Sequence, residues 1–141
     1  MPFPDRSRPG MSLTALHGII LGGCLLVALA LSVVMRARGG PMIHGATGSV
    51  AEYLTAGFAL VALIVAVFVI RPRLPEASGT GSEYWTAAHR GRAILLWGVL
   101  DAAITTGVVG HFLTGGFAPI IAAGLGFLAL AWFSPGRISS A

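Results

Sequence analysis

Four apolar runs, Leu13–Met35, Val50–Ile70, Ala93–Leu113 and Phe117–Phe133, alternate with short connections that carry arginine, glycine and proline. A helix crossing a hydrocarbon layer ~30 Å thick needs ~20 apolar residues, with ~17–25 tolerated, and each run has that length. Backbone groups in lipid must find partners within their own segment, so each run is expected to be an α-helix. The pattern predicts an all-α polytopic membrane protein with transmembrane helices at about 12–35, 49–71, 86–113 and 117–134. Short connections make successive helices antiparallel neighbours, which gives a four-transmembrane-helix up-down bundle forming one membrane domain over 1–141.

Local signals set the boundaries. Ser12 is the expected N-cap of the first helix, and Arg36-Ala-Arg-Gly-Gly-Pro41 stops it. Residues Met42–Gly48 form a first loop. Pro72 cannot continue the second helix and biases Arg71 away from α geometry. Glu76–Ser82 reads as a second loop, after which Glu83–Arg92 begins the third helix. Thr114-Gly-Gly116 is a tight turn, and Pro119 suits the first turn of the fourth helix. Tyr84, Trp85 and Trp132 fall where interfacial aromatic anchors belong.

Composition narrows the class. The chain is 55% hydrophobic and 10% charged, where an ordinary soluble domain has ~25% charged residues. Four spans use nearly all of its 141 residues, which leaves no soluble domain of useful size. All nine basic residues are arginine. Arg137 apart, they flank the spans in pairs and form no basic patch, so the net charge of +4 signals topology and not a nucleic-acid partner. If both termini share a side, that side holds Arg6, Arg8, Arg71, Arg73, Arg90, Arg92 and Arg137, against Arg36 and Arg38 opposite. Both termini are therefore expected in the cytoplasm, with the chain multi-pass in a bacterial inner membrane. Leu21-Gly-Gly-Cys24 resembles a lipobox, but the apolar run continues to Met35, longer than the ~7–15 residues of a signal core. Cys24 then reads as a small packing residue.

The sharpest chemical feature is Asp101, near the middle of the third span. An ionisable group there costs at least ~2.5–3.5 kcal/mol, and it marks either an ion path or a buried polar tie. Trp97 and Thr105 share its helix face. Glu52 and His111 should lie at similar depth on the second and third helices, and could pair. Asp101 lies ~15 Å from His111 along the helix, so these three residues form a candidate proton half-channel or a polar clasp. His17 and His89 near one face, and His44 and His111 near the other, raise a haem or metal reading. No His-x3-His or Cys-x2-Cys spacing supports it, so no metal and no cofactor are expected. Gly18-x3-Gly22, Gly107 with Gly110, and Ala122-x3-Gly126 are small-residue steps that let helices approach closely. No Ser/His/Asp arrangement, paired carboxylates or phosphate-cradling glycine loop is present, so no enzyme activity is expected.

The second helix, its loop and the third helix resemble the c-type proteolipid hairpin of rotary ATP synthases. Arg73-Leu-Pro-Glu76 matches that family's Arg-x-Pro-(Glu/Asp) loop, and Asp101, with Gly107 six positions on, matches its mid-membrane carboxylate. The resemblance implies ion carriage by Asp101. The whole chain also resembles small four-span bacterial membrane proteins without assigned activity, through Arg92, Asp101 and Leu113-Thr-Gly115. The expected function is a non-enzymatic subunit within a larger respiratory, photosynthetic or transport complex. Its partners would be the lipid bilayer, other membrane subunits or a second copy of the chain. Proton or ion translocation through Asp101 is the alternative.

Overall fold

The computed structural model describes residues 12–74 and 85–139, and all its regular elements among these are helical. Helix α1 spans Leu13–Arg38, α2 Gly45–Ile64, α3 Ala87–Thr114, α4 Phe117–Trp132 and the short α5 Pro135–Ser139. The expectations for Tyr84, for the loop Glu76–Ser82 and for Arg6 and Arg8 fall outside the described residues.

Ser12 caps α1 as expected, its hydroxyl accepting from the Ala15 N–H at 3.1 Å. The helix runs three residues past the expected end and stops at Gly39, whose φ of +80° few side chains tolerate. Arg36 and Arg38 occupy its last turn, where cations suit the helix dipole. Helix α2 begins at Gly45, four residues earlier than the apolar pattern suggests, because Gly45–Ser49 is polar yet helical. At its other end the backbone widens to a π-helix over Val65–Ile70, tightens to a 3-10 turn over Arg71–Arg73 and turns extended at Leu74. Pro72 explains this, since its missing N–H and ring bulk force the hydrogen-bond ladder to change.

Helix α3 is the axis of the molecule. Ala93, Leu96, Trp97, Leu100 and Ala103 are fully buried, and α1, α2 and α4 all pack on it. Gly107 and Gly110 let α4 and α2 come close: a Cβ on Gly107 would strike the Pro119 carbonyl and Ala123, and one on Gly110 would strike Thr55. Gly126 faces Ile104 in the same seam. Small residues at such crossings are how helices associate by van der Waals packing in lipid.

The outer surface is the reverse of a soluble bundle. Ile19, Leu26, Leu29 and Val33 on α1, Leu54, Phe58, Val61 and Phe68 on α2, and Ile121 and Leu128 on α4 are all more than half exposed. Water would not tolerate such continuous apolar flanks on a small monomer, whereas lipid does. Helices α1, α2 with its extension to Arg73, and α3 are each long and apolar enough to cross a membrane.

The fourth apolar helix differs. At 16 residues α4 is ~24 Å long, less than a ~30 Å hydrocarbon layer. The expected span to 134 is cut at Phe133, where ψ is +44°, and Ser134-Pro135 starts α5. Pro135 at the first position of that helix is a boundary signal that the long apolar run obscured.

Candidate functional site

The interior polar groups concentrate at three places, and two of them are the ends of α4. A helix end leaves backbone N–H or C=O groups without partners, and in an apolar medium each needs one. At the N-terminus of α4, with N-cap Gly116, no side chain of the helix itself caps the first turn. Glu52 of α2 supplies the cap: the Ala118 N–H donates to its Oε1 at 3.4 Å, and the carboxylate lies directly against Gly116. Only glycine fits at 116, because a Cβ there would occupy the position of the Glu52 carboxylate. His111 reaches the same turn from α3, with its Nδ1 2.8 Å from the Gly116 carbonyl. A carbonyl only accepts, so Nδ1 carries the proton. Glu52 and His111 thus converge on one turn, as their depths suggest, but each bonds a different backbone group there. The loop before α2 joins the same assembly, since the Met42 and Ile43 N–H groups both donate to the Leu113 carbonyl at 2.9 and 2.8 Å.

The C-terminus of α4 is capped from two other helices. His17 of α1 places Nε2 2.9 Å from the Leu130 carbonyl, and Trp97 of α3 donates from Nε1 to the Phe133 carbonyl at 2.8 Å. The two rings meet edge-on, 5.1 Å apart at 64°. His17 is the buried polar residue of α1, and Trp97 is fully buried. His17 therefore holds a helix end through its Nε2.

The third polar site is mid-bundle. Cys24 of α1 donates from its thiol to Asp101 Oδ1 at 2.9 Å. Asp101 lies midway along α3 and is partly buried. The sequence alone names no partner for Asp101 and gives Cys24 only a packing role. The structure makes the two a pair. A lone cysteine in an apolar run carries no signal of a partner 77 positions away.

The small-residue steps divide. Gly107, Gly110, Ala122 and Gly126 lie in the seams among α2, α3 and α4, but a Cβ on Gly18 or Gly22 would meet nothing within 4 Å. Trp85 is partly buried against the core, whereas Trp132 is exposed with the Arg137 guanidinium 4.2 Å over its ring. Arg71 lies over Phe133, and Arg92 donates to the Arg73 carbonyl at 2.8 Å, so these arginines share one end of the bundle. His44 is the N-cap residue of α2. Among the described residues no cluster of three or more His, Cys, Asp or Glu side chains could hold a metal ion.

A groove runs along α1 where it faces α3, and α4 joins its wall from Ile120 inward. Its open end, about 380 Å³, is lined by Ser32, Met35, Arg36, Gly40 and His111. It narrows past Ala28, Leu31 and Ile120, then opens to about 190 Å³ beside Cys24, Gly124 and Phe127.

No family model, curated protein or solved structure matches this chain. Of the Arg73-Leu-Pro-Glu76 motif behind the proteolipid likeness, Pro75 and Glu76 fall outside the described residues.

The α4 cap gives a first prediction. Glu52→Ala should lower the thermal stability of the detergent-extracted protein by about 1 kcal/mol, the usual worth of a helix N-cap, while Glu52→Gln keeps an acceptor and loses less. A melt monitored by helical circular dichroism measures both, and equal melts for wild type and Glu52→Ala would remove the cap.

Proposed function

We propose that the chain is a non-enzymatic integral membrane subunit that packs against a larger membrane complex of a respiratory, photosynthetic or transport kind. The observation that carries this reading is a contrast between inside and outside. Cys24, Asp101, His17, Trp97, Glu52 and His111 all tie one helix to another, whereas a Cβ on Gly18 or Gly22 of α1 would meet nothing within 4 Å among the described residues. A small-residue step suits close approach by another helix.

In this reading α4 is a fourth span. Its length is supported at both ends by caps from longer neighbours, which lets its termini stop within the hydrocarbon layer without exposing backbone groups to it. Both termini lie in the cytoplasm of a bacterial inner membrane. The gathering of Arg71, Arg73, Arg92 and Arg137 at the end opposite Arg36 and Arg38 supports that orientation.

Extraction in a mild detergent, native electrophoresis and mass spectrometry of what travels with the protein test the proposal. Gly22→Leu should detach the partner and leave the monomer's melt unchanged, because its side chain enters open space. A small monodisperse particle without companions, or a Gly22→Leu variant that retains them, would count decisively against it. If the companion is a second copy, the same gel shows a homo-oligomer.

Proton or ion carriage by Asp101 is the second reading. The groove favours it, since it leads from Arg36 and His111 to Cys24, the partner of Asp101. The walls of its narrow part weigh the other way: past Ser32 and His111 the lining is Ala28, Leu31, Val108 and Ile120, which offer water no side-chain hydrogen bonds.

A further inference from the structure

The groove along α1 has a cationic mouth, apolar walls and a definite depth. Arg36 lies at the mouth, and among the described residues its guanidinium has no carboxylate partner. His111 lines the same mouth, held there by the bond from its Nδ1 to the Gly116 carbonyl. Below them the lining is Ala28, Leu31, Val108 and Ile120, ending at Phe127 and Cys24. From Met35 to Cys24 is 11 helical residues, ~16 Å at 1.5 Å each. That is half of a ~30 Å hydrocarbon core, the depth that one leaflet's acyl chains fill.

We propose that this groove is a binding site for one anionic phospholipid. The lipid phosphate sits against Arg36, the headgroup lies beside the His111 ring, and one acyl chain lies along α3 between α1 and α4 down to Phe127. Three features of the groove select this occupant over a protein helix. The mouth is positively charged where a helix would be neutral. The middle narrows to about 20 Å³ beside Ala28, Leu31 and Ile120, too little for a helix. The depth stops at mid-bilayer, whereas a helix would continue across. The bound lipid also adds contacts to α1, the helix that has only His17 and Cys24 buried. The proposal rests on the helices spanning the membrane and is independent of whether the chain enters a larger complex.

The test is native mass spectrometry of delipidated protein titrated with phosphatidylglycerol and, separately, with phosphatidylcholine of the same chain length. One phosphatidylglycerol should be retained about fivefold more tightly than phosphatidylcholine, the preference expected of one arginine at a membrane surface. Arg36→Gln should abolish the preference, and Arg38→Gln, which does not line the groove, should keep it. Gly124→Leu should remove retention of both lipids without changing the melt, since its side chain enters the deep end of the groove where a Cβ meets nothing. Equal retention of the two lipids by wild type, an equal loss in Arg36→Gln and Arg38→Gln, or unchanged binding by Gly124→Leu would each overturn the site. Dimers that take up no lipid would overturn it too, by showing the groove filled with a second copy. Release of the chain from membranes by carbonate alone would instead defeat the spanning reading on which the site depends.

Discussion

Gly107→Leu is expected to break the α3–α4 seam, lowering the melt of the extracted protein by roughly 3 kcal/mol or more and broadening its profile on size exclusion. The reason is backbone and not side-chain crowding. Even a Cβ at 107 would overlap the Pro119 carbonyl and the backbone N of Ala123, and neither can rotate aside. Gly110→Leu should behave similarly, because a Cβ there would meet the Thr55 Cβ, which no rotamer change moves. The control is Gly18→Leu, a chemically identical change into open space, which should leave the melt within about 0.5 kcal/mol of wild type. The pair of variants separates two uses of the same residue type in one chain. If Gly107→Leu and Gly18→Leu melt alike, the assignment of one to the bundle's interior and the other to its outside fails.

That division was only half legible in the sequence. The apolar runs establish helices, because no other structure can satisfy a backbone in lipid, and Ser12, Gly39 and Pro72 mark boundaries by local rules that hold in any context. Which face of each helix turns inward is a different matter. A soluble helix betrays its buried face by an apolar stripe, but here both faces are apolar and the pattern carries almost no orientation. Gly18/Gly22 and Gly107/Gly110 therefore look alike in sequence and differ in structure. The polar residues were found for a general reason, their cost in lipid, and their partners were not. Glu52 and His111 were placed together by depth along their helices, which the 1.5 Å rise supplies. Asp101 with Cys24, and His17 and Trp97 with the last carbonyls of α4, needed the helix rotations and the early stop at Phe133. The boundary at Ser134-Pro135 was readable, and with it the need for caps at a helix end buried among longer helices.

The Cys24–Asp101 pair yields the prediction that bears most directly on function. Cys24→Ala removes the donor and leaves a carboxyl in the middle of a bundle, so it should destabilise the protein by about 1–3 kcal/mol. Asp101→Leu leaves only a thiol, a weak and easily tolerated group, and should cost less. The double variant Cys24→Ala/Asp101→Leu replaces both partners with apolar groups and should be at least as stable as Cys24→Ala alone. Such a cycle, read by thermal melts in one detergent, measures the interaction itself and not the two deletions. Its outcome is coupled to the choice between the two functional readings. In a structural tie the double variant folds, keeps its companions and supports normal function of the complex. In an ion carrier it folds but passes no ions, and Asp101→Asn, which still accepts the thiol's hydrogen bond, abolishes flux as completely. Flux measured in proteoliposomes that is present in wild type and absent in Asp101→Asn would displace the accessory-subunit reading. Companions retained and no flux in any of the variants or in wild type would leave Asp101 as the polar end of a tie that joins α1 to α3.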